Sequence, residues 1–533
     1  AFANRPKMIC AICVAFSVIA VHAYLREHGV QGDGPSLLLS SLHPVSRTGY
    51  GGQVELLVSD LQSKSWHIQL LAWNLKHRGE APAADLEALL RRKGISETET
   101  LKHASGDPRA LLPGVPVVTS QIAPPTGHEE GLGWIEILRA VDLFSKAASA
   151  CDDSHCPFRA PDLVLHLHDA WWLGPPPAQV RDAVKTQHLP PMVSWLPILF
   201  DPLLSDDPER PDRSGAALEV FSGVISMSLW GRGVYERALA DLAAVLGGAR
   251  HATVRWLPPL LGHIPHALHP AFGEGPLAFE SVTRRELRQL FRLPEMAFVV
   301  LLVGRNPPPP SSEANRKSHR TAIRAFARFR KQVSELCEQA GTPSQCPGGA
   351  VTHLHVHSDL HGSVDIQSLL KDAGLSLEDN GGASSSREHL SPELLRHLYT
   401  ASDVLLQLSR AEGFGLPIIE AQACGTPVIV NGATAMAENV ILGKILVTPR
   451  QSPTGGRSDR PGSWTPPDGA AAVEALLEIW SSPPTAIERN RARIAFQSFF
   501  APSHVGEQMV QILYPLLKPR HGYLQASLRR EAS

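Results

Sequence analysis

The sequence predicts an α/β protein built from two doubly wound, Rossmann-like domains. One observation is length, because 533 residues are enough for two domains with substantial hydrophobic cores. A second is a strand–loop–helix–strand unit at residues 402–431, whose apolar runs at 404–408 and 428–430 have the size of buried parallel strands. A third is a strand–glycine–helix pattern at residues 36–61, which is typical of the phosphate-binding turn of doubly wound domains.

The strand–glycine–helix pattern comes first in the chain. The run SLLLSSL at residues 36–42 is apolar enough for a buried strand, and apolar residues later recur at helical spacing up to Leu61. Between them, residues 48–52 (TGYGG) are expected to form a loop. Gly51 and Gly52 lack Cβ atoms, so the backbone can approach a phosphate closely there. An ordinary glycine-rich turn is the alternative interpretation.

Other elements are indicated by shorter patterns. Apolar runs predict strands at residues 66–73, 161–167, 192–199, 223–227, 297–303 and 352–356. The polar, glycine- and serine-rich segment 378–387 (EDNGGASSSR) is expected to be a flexible insertion. Three helices are expected after residue 469, the last of them at 503–517.

The strand–loop–helix–strand unit carries two carboxylates. Gly413 and Gly415 let the backbone approach a ligand, and the helix expected at 416–423 directs free N–H groups at an anion. Glu412 lies in the loop, and Glu420 lies about one turn into the helix. A phosphate repels a carboxylate, so each glutamate is expected to accept hydrogen bonds from sugar hydroxyls. Two sugars that flank a phosphate describe a nucleotide-sugar, whereas a polar loop with two solvated glutamates is the alternative.

Residues 412–430, EGFGLPIIEAQACGTPVIV, resemble the signature of the retaining glycosyltransferases of family 4 (glycosyl transferases group 1). The resemblance implies the GT-B fold, in which two Rossmann-like domains face each other across a cleft. It also implies that Glu412 contacts the transferred sugar and that Glu420 contacts the nucleotide ribose. The further residues that this resemblance assigns to donor binding in the loops are Gly51, Gly52, Gly413, Phe414, Gly415 and Leu416.

The resemblance assigns three more roles. Arg305 follows the strand expected at 297–303 and Lys317 opens the next helix, so both would clamp the donor diphosphate and stabilise its growing charge. His168 follows another predicted strand and would lie beside the reacting sugar. His166 would point the same way by strand alternation and competes for that role. A histidine satisfied within a buried loop is the other interpretation of His168.

The same resemblance divides the chain. The expected parts are an N-terminal signal- or anchor-like segment (1–35), an acceptor-binding domain (36–272), a nucleotide-sugar-binding domain (273–484), helices that cross back to the first domain (485–520) and a tail (521–533). Residues 8–21 are apolar and follow basic residues, as in a signal-peptide core. They are short for a membrane span, which needs ~20 residues. A buried first strand is the alternative.

Cysteine spacing bears on the compartment. The pairs Cys151/Cys156 and Cys337/Cys346 are close enough in sequence for local disulfides, which would indicate an oxidising lumen. A metal site at Cys151 and Cys156 is the less favoured alternative. The sequence has no Asn-x-Ser/Thr glycosylation site, which counts against a lumen. The secretory pathway or a membrane-anchored location is favoured over the cytoplasm, and membrane association would use the apolar N-terminal segment.

The resemblance implies a retaining, metal-independent glycosyltransferase (hexosyltransferase type, EC 2.4). It would move a sugar from a nucleoside-diphosphate sugar, its co-substrate, to a glycan, lipid or protein acceptor, with no cofactor and no metal. The net charge of −2 gives no reason to expect nucleic acid as a partner. The alternatives are a catalytically inactive GT-B protein that binds nucleotide or glycan as a partner subunit, and a GT-B epimerase or phosphorylase.

Overall fold

A computed structural model gives the structure of part of the chain. The described residues are 34–42, 49–73, 115–119, 132–150, 158–168, 173, 175–186, 189–199, 201, 203, 215–246, 256–273, 284–307, 316–339, 346, 349, 351–378, 381–386, 390–447 and 464–517. The apolar segment 8–21 and the pair Cys151/Cys156 lie outside them. Within the described residues, none of the helices has the length and apolar character needed to cross a membrane.

The first sheet has seven parallel strands in the order β3-β2-β1-β4-β5-β6-β7. These strands are β1 (Ser36–Leu42), β2 (His67–Trp73), β3 (Val117–Thr119), β4 (Leu163–Leu167), β5 (Met192–Leu196), β6 (Gly223–Ser226) and β7 (Leu260–His263). The accompanying helices are α1 (Gly49–Ser63), α2 (Leu132–Ala150), α3 (Ala178–Lys185) and α4 (Leu229–Leu246), with a 3₁₀ turn at Ala216–Leu218. From β1 the next strands in sequence are added on one side of the sheet, and from β4 onwards they are added on the other side. This switch point between β1 and β4 is the position where such sheets bind ligands.

The second sheet has six parallel strands in the order β10-β9-β8-β11-β12-β13. These strands are β8 (Phe298–Val303), β9 (Thr352–His357), β10 (Ala383–Ser386), β11 (Val404–Gln407), β12 (Val428–Asn431) and β13 (Gly443–Leu446). The remaining helices are α5 (Pro270–Gly273), α6 (Arg284–Leu290), α7 (His319–Gln339), α8 (Ile366–Asp372), α9 (Pro392–Ala401), α10 (Leu416–Ala423), α11 (Gly469–Ser481), α12 (Ala486–Phe499) and α13 (Pro502–Leu513), with 3₁₀ turns at Thr434–Asn439 and Tyr514–Leu516. Its switch point lies between β8 and β11.

Both faces of each sheet are covered by helices. In β1, Leu37 packs with Val54 of α1 on one face, while Leu38 packs with Phe144 of α2 on the other. This is why the strand is apolar at successive positions instead of alternating. Each fully buried leucine contributes roughly 1.5–3 kcal/mol to stability. The second sheet is covered in the same way, so the doubly wound architecture is confirmed.

The C-terminal helix α13 packs against α1 of the first domain. Val505 and Met509 are buried in the same cluster as Val54. Gly506 lies so close to α1 that a Cβ at this position would be 1.6 Å from Oδ2 of Asp60. The chain therefore returns to its first domain after completing the second.

Two predictions about local structure are wrong. Residues 49–52 form the first turn of α1 instead of a loop, because the helix begins at Gly49. Gly51 and Gly52 therefore lie at the N-terminal end of α1, where the helix dipole favours an anion. The insertion expected at 378–387 contains the edge strand β10, although serine is a weak strand former.

Side-chain contacts with the neighbouring strand explain β10. Ser384 lies within hydrogen-bonding distance of His353 Nε2 (2.7 Å) and His355 Nδ1 (2.8 Å). Ser386 makes the same kind of contact with His355 Nε2 (3.0 Å) and His357 Nδ1 (2.8 Å). These cross-strand contacts satisfy polar groups that are mostly buried, and they require the tertiary pairing of β9 with β10.

One of the two cysteine pairs is visible in the structure. Cys337, near the end of α7, forms a disulfide with Cys346. Among the described cysteines, Cys424 is free.

Candidate active site

The switch point of the second sheet brings Lys317 to Glu412. The loop after β8 leads to Lys317, and the loop after β11 carries Glu412. Lys317 Nζ lies 2.5 Å from Glu412 Oε1, and Arg316 Nη1 lies 2.7 Å from Glu412 Oε2. The Glu412 side chain is buried, with 7% of the residue exposed. Two residues that were assigned separately to sugar and diphosphate are thus in direct contact.

The cations decide the charge of Glu412. Burial by itself would raise the pKa of Glu412, but the adjacent Lys317 and Arg316 outweigh it and lower the pKa to about 2. The carboxylate is therefore ionised at neutral pH. The backbone N–H of Glu412 also donates a hydrogen bond to Thr434 Oγ1 at 2.9 Å, which connects the loop to the 3₁₀ turn at Thr434–Asn439.

Arg316 was not identified from the sequence. The resemblance pointed to Arg305, which is exposed just beyond the C-terminal end of β8. Arg316 is the second cation on Glu412, and it also donates to the carbonyl oxygen of Ala411 at 3.2 Å. The available signal was its position directly before Lys317, which places both cations at the start of α7.

Glycines 413 and 415 are required for different reasons. Gly413 touches the first domain, because a Cβ built there would lie 2.7 Å from Cβ of Pro197 and 3.2 Å from its Cα. Gly415 has φ of 95° and precedes α10 as its N-cap residue. L-amino acids rarely adopt this backbone conformation, so Gly415 sets the direction in which α10 leaves the loop. Phe414 is buried between these two glycines, and Leu416 opens the helix.

A chain of aromatic rings connects the two domains beside this loop. His168 lies 4.5 Å from Tyr50 of α1, between ring centroids, and Tyr50 lies 6.2 Å from His266. His266 in turn lies 5.1 Å from Phe414 and 5.2 Å from Trp195. Burial lowers the pKa of His266 to about 3, so it is neutral at physiological pH. The contacts place His168 on the same interface as the Glu412 loop.

His166 and His168 have different surroundings. His166 lies on β4, where its Nδ1 is 3.1 Å from Ser40 Oγ of β1 and its ring stacks on Phe221 at 6.1 Å. Phe221 belongs to the core between the first sheet and α2. His168 follows the end of β4 and contacts Tyr50 instead. Of the two histidines, His168 is the one beside the glycine-containing first turn of α1.

The second glutamate of the motif has an unusual proton affinity. Glu420 lies on α10, and its Oε2 accepts a hydrogen bond from the Tyr399 hydroxyl at 2.9 Å. Burial raises the pKa of Glu420 to about 7, and the hydrogen bond from Tyr399 lowers it only in part. The carboxyl is thus close to half-protonated at neutral pH. It can accept a hydrogen bond from a hydroxyl group when ionised, and it can donate one to a hydroxyl group when protonated.

Glu420→Gln is expected to change how stability depends on pH. The folded pKa exceeds the ordinary value of 4.5, so the folded state binds more protons between pH 4.5 and 7. The free energy of unfolding therefore falls as pH rises through this window, by at most about 3 kcal/mol. Glutamine cannot titrate and still accepts from Tyr399, so the variant should be more stable than wild type at pH 8. Thermal unfolding from pH 5 to 8 measures the difference.

The exposed Glu474 on α11 offers a matched control. Glu474→Gln should unfold with the wild-type pH dependence. A Glu420→Gln variant that also retains the wild-type slope would contradict the assignment of a raised pKa to Glu420.

A carboxylate of the second domain caps a helix of the first. Glu438 accepts hydrogen bonds from the backbone N–H groups of Leu229 (2.9 Å) and Trp230 (2.6 Å) at the start of α4. A negative charge is stabilising at a helix N-terminus, where N–H groups lack intrahelical partners. This contact and the one between Gly413 and Pro197 join the two domains next to Glu412.

Within the described residues, no group of three or more His, Cys, Asp or Glu side chains could hold a metal ion.

Sequence comparisons place a known family segment at this site. Residues 388–454 match the family model described as glycosyl transferases group 1. The D-inositol 3-phosphate glycosyltransferase of Salinispora arenicola is 32% identical over 168 residues, which are 30% of this chain and 30% of that protein. D-inositol 3-phosphate glycosyltransferase 2 of Catenulispora acidiphila is 32% identical over 165 residues, 30% of this chain and 34% of that protein. The chain thus spans about a third of these curated relatives.

Structure comparisons extend over most of the chain. Sucrose-phosphate synthase from Thermosynechococcus elongatus superposes with a TM-score of 0.56 at 18% identity, covering 90% of this chain and 99% of that one. The α,α-trehalose 6-phosphate synthase from Burkholderia multivorans gives a TM-score of 0.56 at 13% identity, covering 93% and 99%. These likenesses confirm the GT-B fold. The chain thus has the GT-B fold, and residues 388–454 of its second domain match the group 1 glycosyltransferase model.

Proposed function

We propose that this protein is a retaining, metal-independent glycosyltransferase of family 4 that moves a sugar from a nucleoside-diphosphate sugar to an acceptor. The family match and the fold support sugar transfer from a nucleotide-sugar. The observation that carries the proposal is the buried Glu412 carboxylate, held by two cations at the switch point of the second sheet. An ionised carboxylate beside cations suits a donor that has both sugar hydroxyls and a diphosphate.

In this proposal the second domain binds the donor. Glu412 accepts hydrogen bonds from the transferred sugar, and Glu420 binds the ribose hydroxyls. Lys317 and the exposed Arg305 bind the diphosphate together with the positive N-terminal end of the α10 dipole. As the glycosidic bond breaks, negative charge grows on the departing diphosphate, and these positive groups stabilise it without moving.

The first domain supplies the other side of the site. His168 and the first-turn glycines Gly51 and Gly52 would face the donor across the interface that Tyr50 and His266 share with Phe414. Closure of the two domains would exclude water from the reacting sugar. The loops of the first domain would hold the acceptor, whose hydroxyl attacks on the face from which the diphosphate leaves.

The names of the relatives suggest acceptors to try first. Two of them are D-inositol 3-phosphate glycosyltransferases, and two structural neighbours make phosphorylated disaccharides by name. D-inositol 3-phosphate and hexose phosphates are therefore the first candidate acceptors for this chain. A location in the secretory pathway or at a membrane stays a prediction, since residues 8–21 lie outside the described part of the chain.

The proposal predicts donor turnover that does not need a metal. Purified protein would be assayed with UDP-, GDP- and ADP-sugars and the acceptor panel in the presence of a chelator. One donor should turn over, and Glu412→Ala and Lys317→Ala should each abolish this turnover. Lys331→Ala, at an exposed position on α7, is the matched control and should keep wild-type activity. Proton NMR of the product reports whether the anomeric configuration is retained.

The other outcomes decide between the alternatives. Binding of a donor without turnover over the whole acceptor panel would favour the inactive partner subunit. Failure to bind any donor would contradict the proposal as a statement of function. Loss of turnover with chelator, restored by a divalent cation, would contradict metal independence.

A further inference from the structure

Lys317 has two possible partners, the carboxylate of Glu412 and the diphosphate of the donor. In the structure its ammonium group binds Glu412 Oε1, while the proposed function, on which this inference rests, assigns it to the donor diphosphate. A diphosphate carries more negative charge than a carboxylate, so it competes effectively for a compact ammonium ion. Donor binding would draw Lys317 away from Glu412 and bring further negative charge close to it. The carboxylate then needs another cation to remain ionised and in place.

Arg316 is placed to be that cation. It binds Oε2, the oxygen that Lys317 does not use, and the same Nη1 also donates to the Ala411 carbonyl. The carbonyl oxygen of Arg316 accepts a hydrogen bond from the backbone N–H of Arg410 at 2.7 Å. Side chain and main chain therefore both fasten Arg316 to the Glu412 loop. A planar guanidinium with several fixed donors holds such a geometry better than an ammonium ion.

Among the residues that the structure describes, the other groups against Glu412 carry no charge. Within the described residues, Gln407 of β11 donates to Oε1 at 3.4 Å, Ser409 also contacts the carboxylate, and Thr434 receives the backbone N–H. From the first domain, Pro197 packs against Gly413.

Two histidines lie near neighbours of Glu412 and do not contact its carboxylate in the described hydrogen bonds: His319 is near Lys317, and His266 is near Phe414. His319 at the start of α7 is next to Lys317, and burial, with help from Lys317, lowers its pKa to about 4. His266 contacts Phe414, and burial lowers its pKa to about 3. Both are neutral at pH 6, so the charge balance at Glu412 in this range depends on Arg316 and Lys317.

We propose that Arg316 is a positioning residue that keeps Glu412 ionised and oriented when the donor diphosphate takes Lys317. Lys317 exchanges partners during donor binding, whereas Arg316 stays on Glu412 throughout. Arg316 acts through Glu412 and is not assigned a contact with the substrate.

Proton uptake on nucleotide binding tests this exchange. UDP, GDP and ADP would be titrated into the full chain by calorimetry at pH 6, in two buffers of different ionisation enthalpy. Wild type should bind one of them, and its net proton exchange, which includes Glu420 and the nucleotide phosphate, sets the reference. Arg316→Gln removes the described cation that would stay on Glu412 after the exchange, so its binding should be accompanied by more proton uptake than in wild type. The acid limb of kcat at saturating donor, which reports groups in the bound complex, should also move up by about one to three pH units, because an adjacent opposite charge lowers a carboxyl pKa by that amount.

Two further variants on the same segment sharpen the comparison. Arg316→Lys retains a charge, so it should restore most of the wild-type pH profile. Arg320→Gln, at an exposed position on α7, should behave as wild type in both measurements. An Arg316→Gln variant that binds nucleotide without extra proton uptake and keeps the wild-type acid limb would overturn the inference. Wild type that binds none of the three nucleotides would overturn the proposed function and this inference with it.

A second variant decides the matter should Arg316→Gln fail to fold. Lys317→Met leaves Arg316 as the remaining cation on Glu412. Carbon-13 NMR of protein labelled at glutamate carboxyls, with the Glu412 signal assigned by Glu412→Gln, should show this carboxyl still ionised at pH 5. A Glu412 carboxyl that is protonated at pH 5 in Lys317→Met would show that Arg316 does not hold it, and would overturn the inference.

Discussion

Glu412→Gln is expected to reduce transfer by about 10²–10³-fold, the effect usually seen when one preorganised electrostatic contact at a reacting centre is removed. Glutamine retains the shape of the side chain but removes the negative charge, and it leaves Lys317 and Arg316 together without their shared carboxylate. Donor turnover under saturating conditions measures the loss. The exposed Glu474→Gln on α11 is the matched substitution, and it should retain wild-type turnover.

The same variant is expected to be less stable at neutral pH. Breaking a buried ion pair by removing one partner costs about 3–5 kcal/mol, since the remaining charges stay buried. Glu412 has a folded pKa of about 2, below its ordinary value of 4.5, so its stabilising contribution is present above pH 4.5 and is lost as pH falls toward 2. The difference between wild type and Glu412→Gln should therefore shrink on acidification below pH 4.5.

A double-mutant cycle separates the pair from the surroundings. Lys317→Met should recover part of the stability that Glu412→Gln loses, because one unpaired buried cation is removed. Purely additive losses in the double variant would contradict direct coupling between Lys317 and Glu412. Unchanged turnover in Glu412→Gln would contradict the role of this carboxylate.

Gly413→Ala is expected to have the second large effect, about 10²-fold on kcat. The added Cβ would lie 2.7 Å from Cβ of Pro197, closer than real Cβ atoms approach, and the proline ring and backbone have little freedom to give way. The loop must shift relative to the first domain, and a displacement of about 1 Å can cost roughly 10²-fold in rate. Nucleotide affinity should change less, because the proposed function places the donor mainly on the second domain.

Measuring kcat and the nucleotide dissociation constant of the same variant tests whether catalysis is lost while binding is kept. Gly233→Ala is the matched control, because a Cβ there meets only the end of the Arg237 side chain, at an ordinary distance of 3.5 Å. Gly233 lies in α4, and alanine has a higher helix propensity than glycine, so Gly233→Ala should leave the stability of the protein unchanged or raise it slightly. A Gly413→Ala enzyme with wild-type kcat would show that the contact between Gly413 and Pro197 does not position the reacting groups.

The sequence was most informative where a pattern is local. In the unit at 402–431, the expected strand at 404–408, helix at 416–423 and strand at 428–430 correspond to β11, α10 and β12 with differences of one residue. The strand expected at 36–42 coincides with β1. Buried parallel strands must be apolar on both faces, and glycines and prolines mark the helix ends, so these elements can be found without knowing what packs against them.

Local patterns failed where a partner elsewhere in the chain stabilises the element. The segment ASSS has no strand pattern of its own, and it becomes β10 because β9 pairs with it and offers three histidines to its serines. The first turn of α1 is similar. Its glycines suggested a loop, but Gln53 exchanges two hydrogen bonds with the backbone of Ala267, which holds the start of the helix in place.

The sequence by itself therefore determined the two doubly wound halves and the residues of the Glu412–Glu420 motif, because apolar runs, glycines and motif spacing are properties of neighbouring residues. Only the tertiary structure decided which cations meet Glu412, since Arg316 lies 96 residues away along the chain and reaches it through the order of β8 and β11 in the sheet. It also decided the ring contacts from His168 through Tyr50 and His266 to Phe414. Such contacts depend on how two sheets and a returning helix pack together, and no spacing within the sequence records that packing.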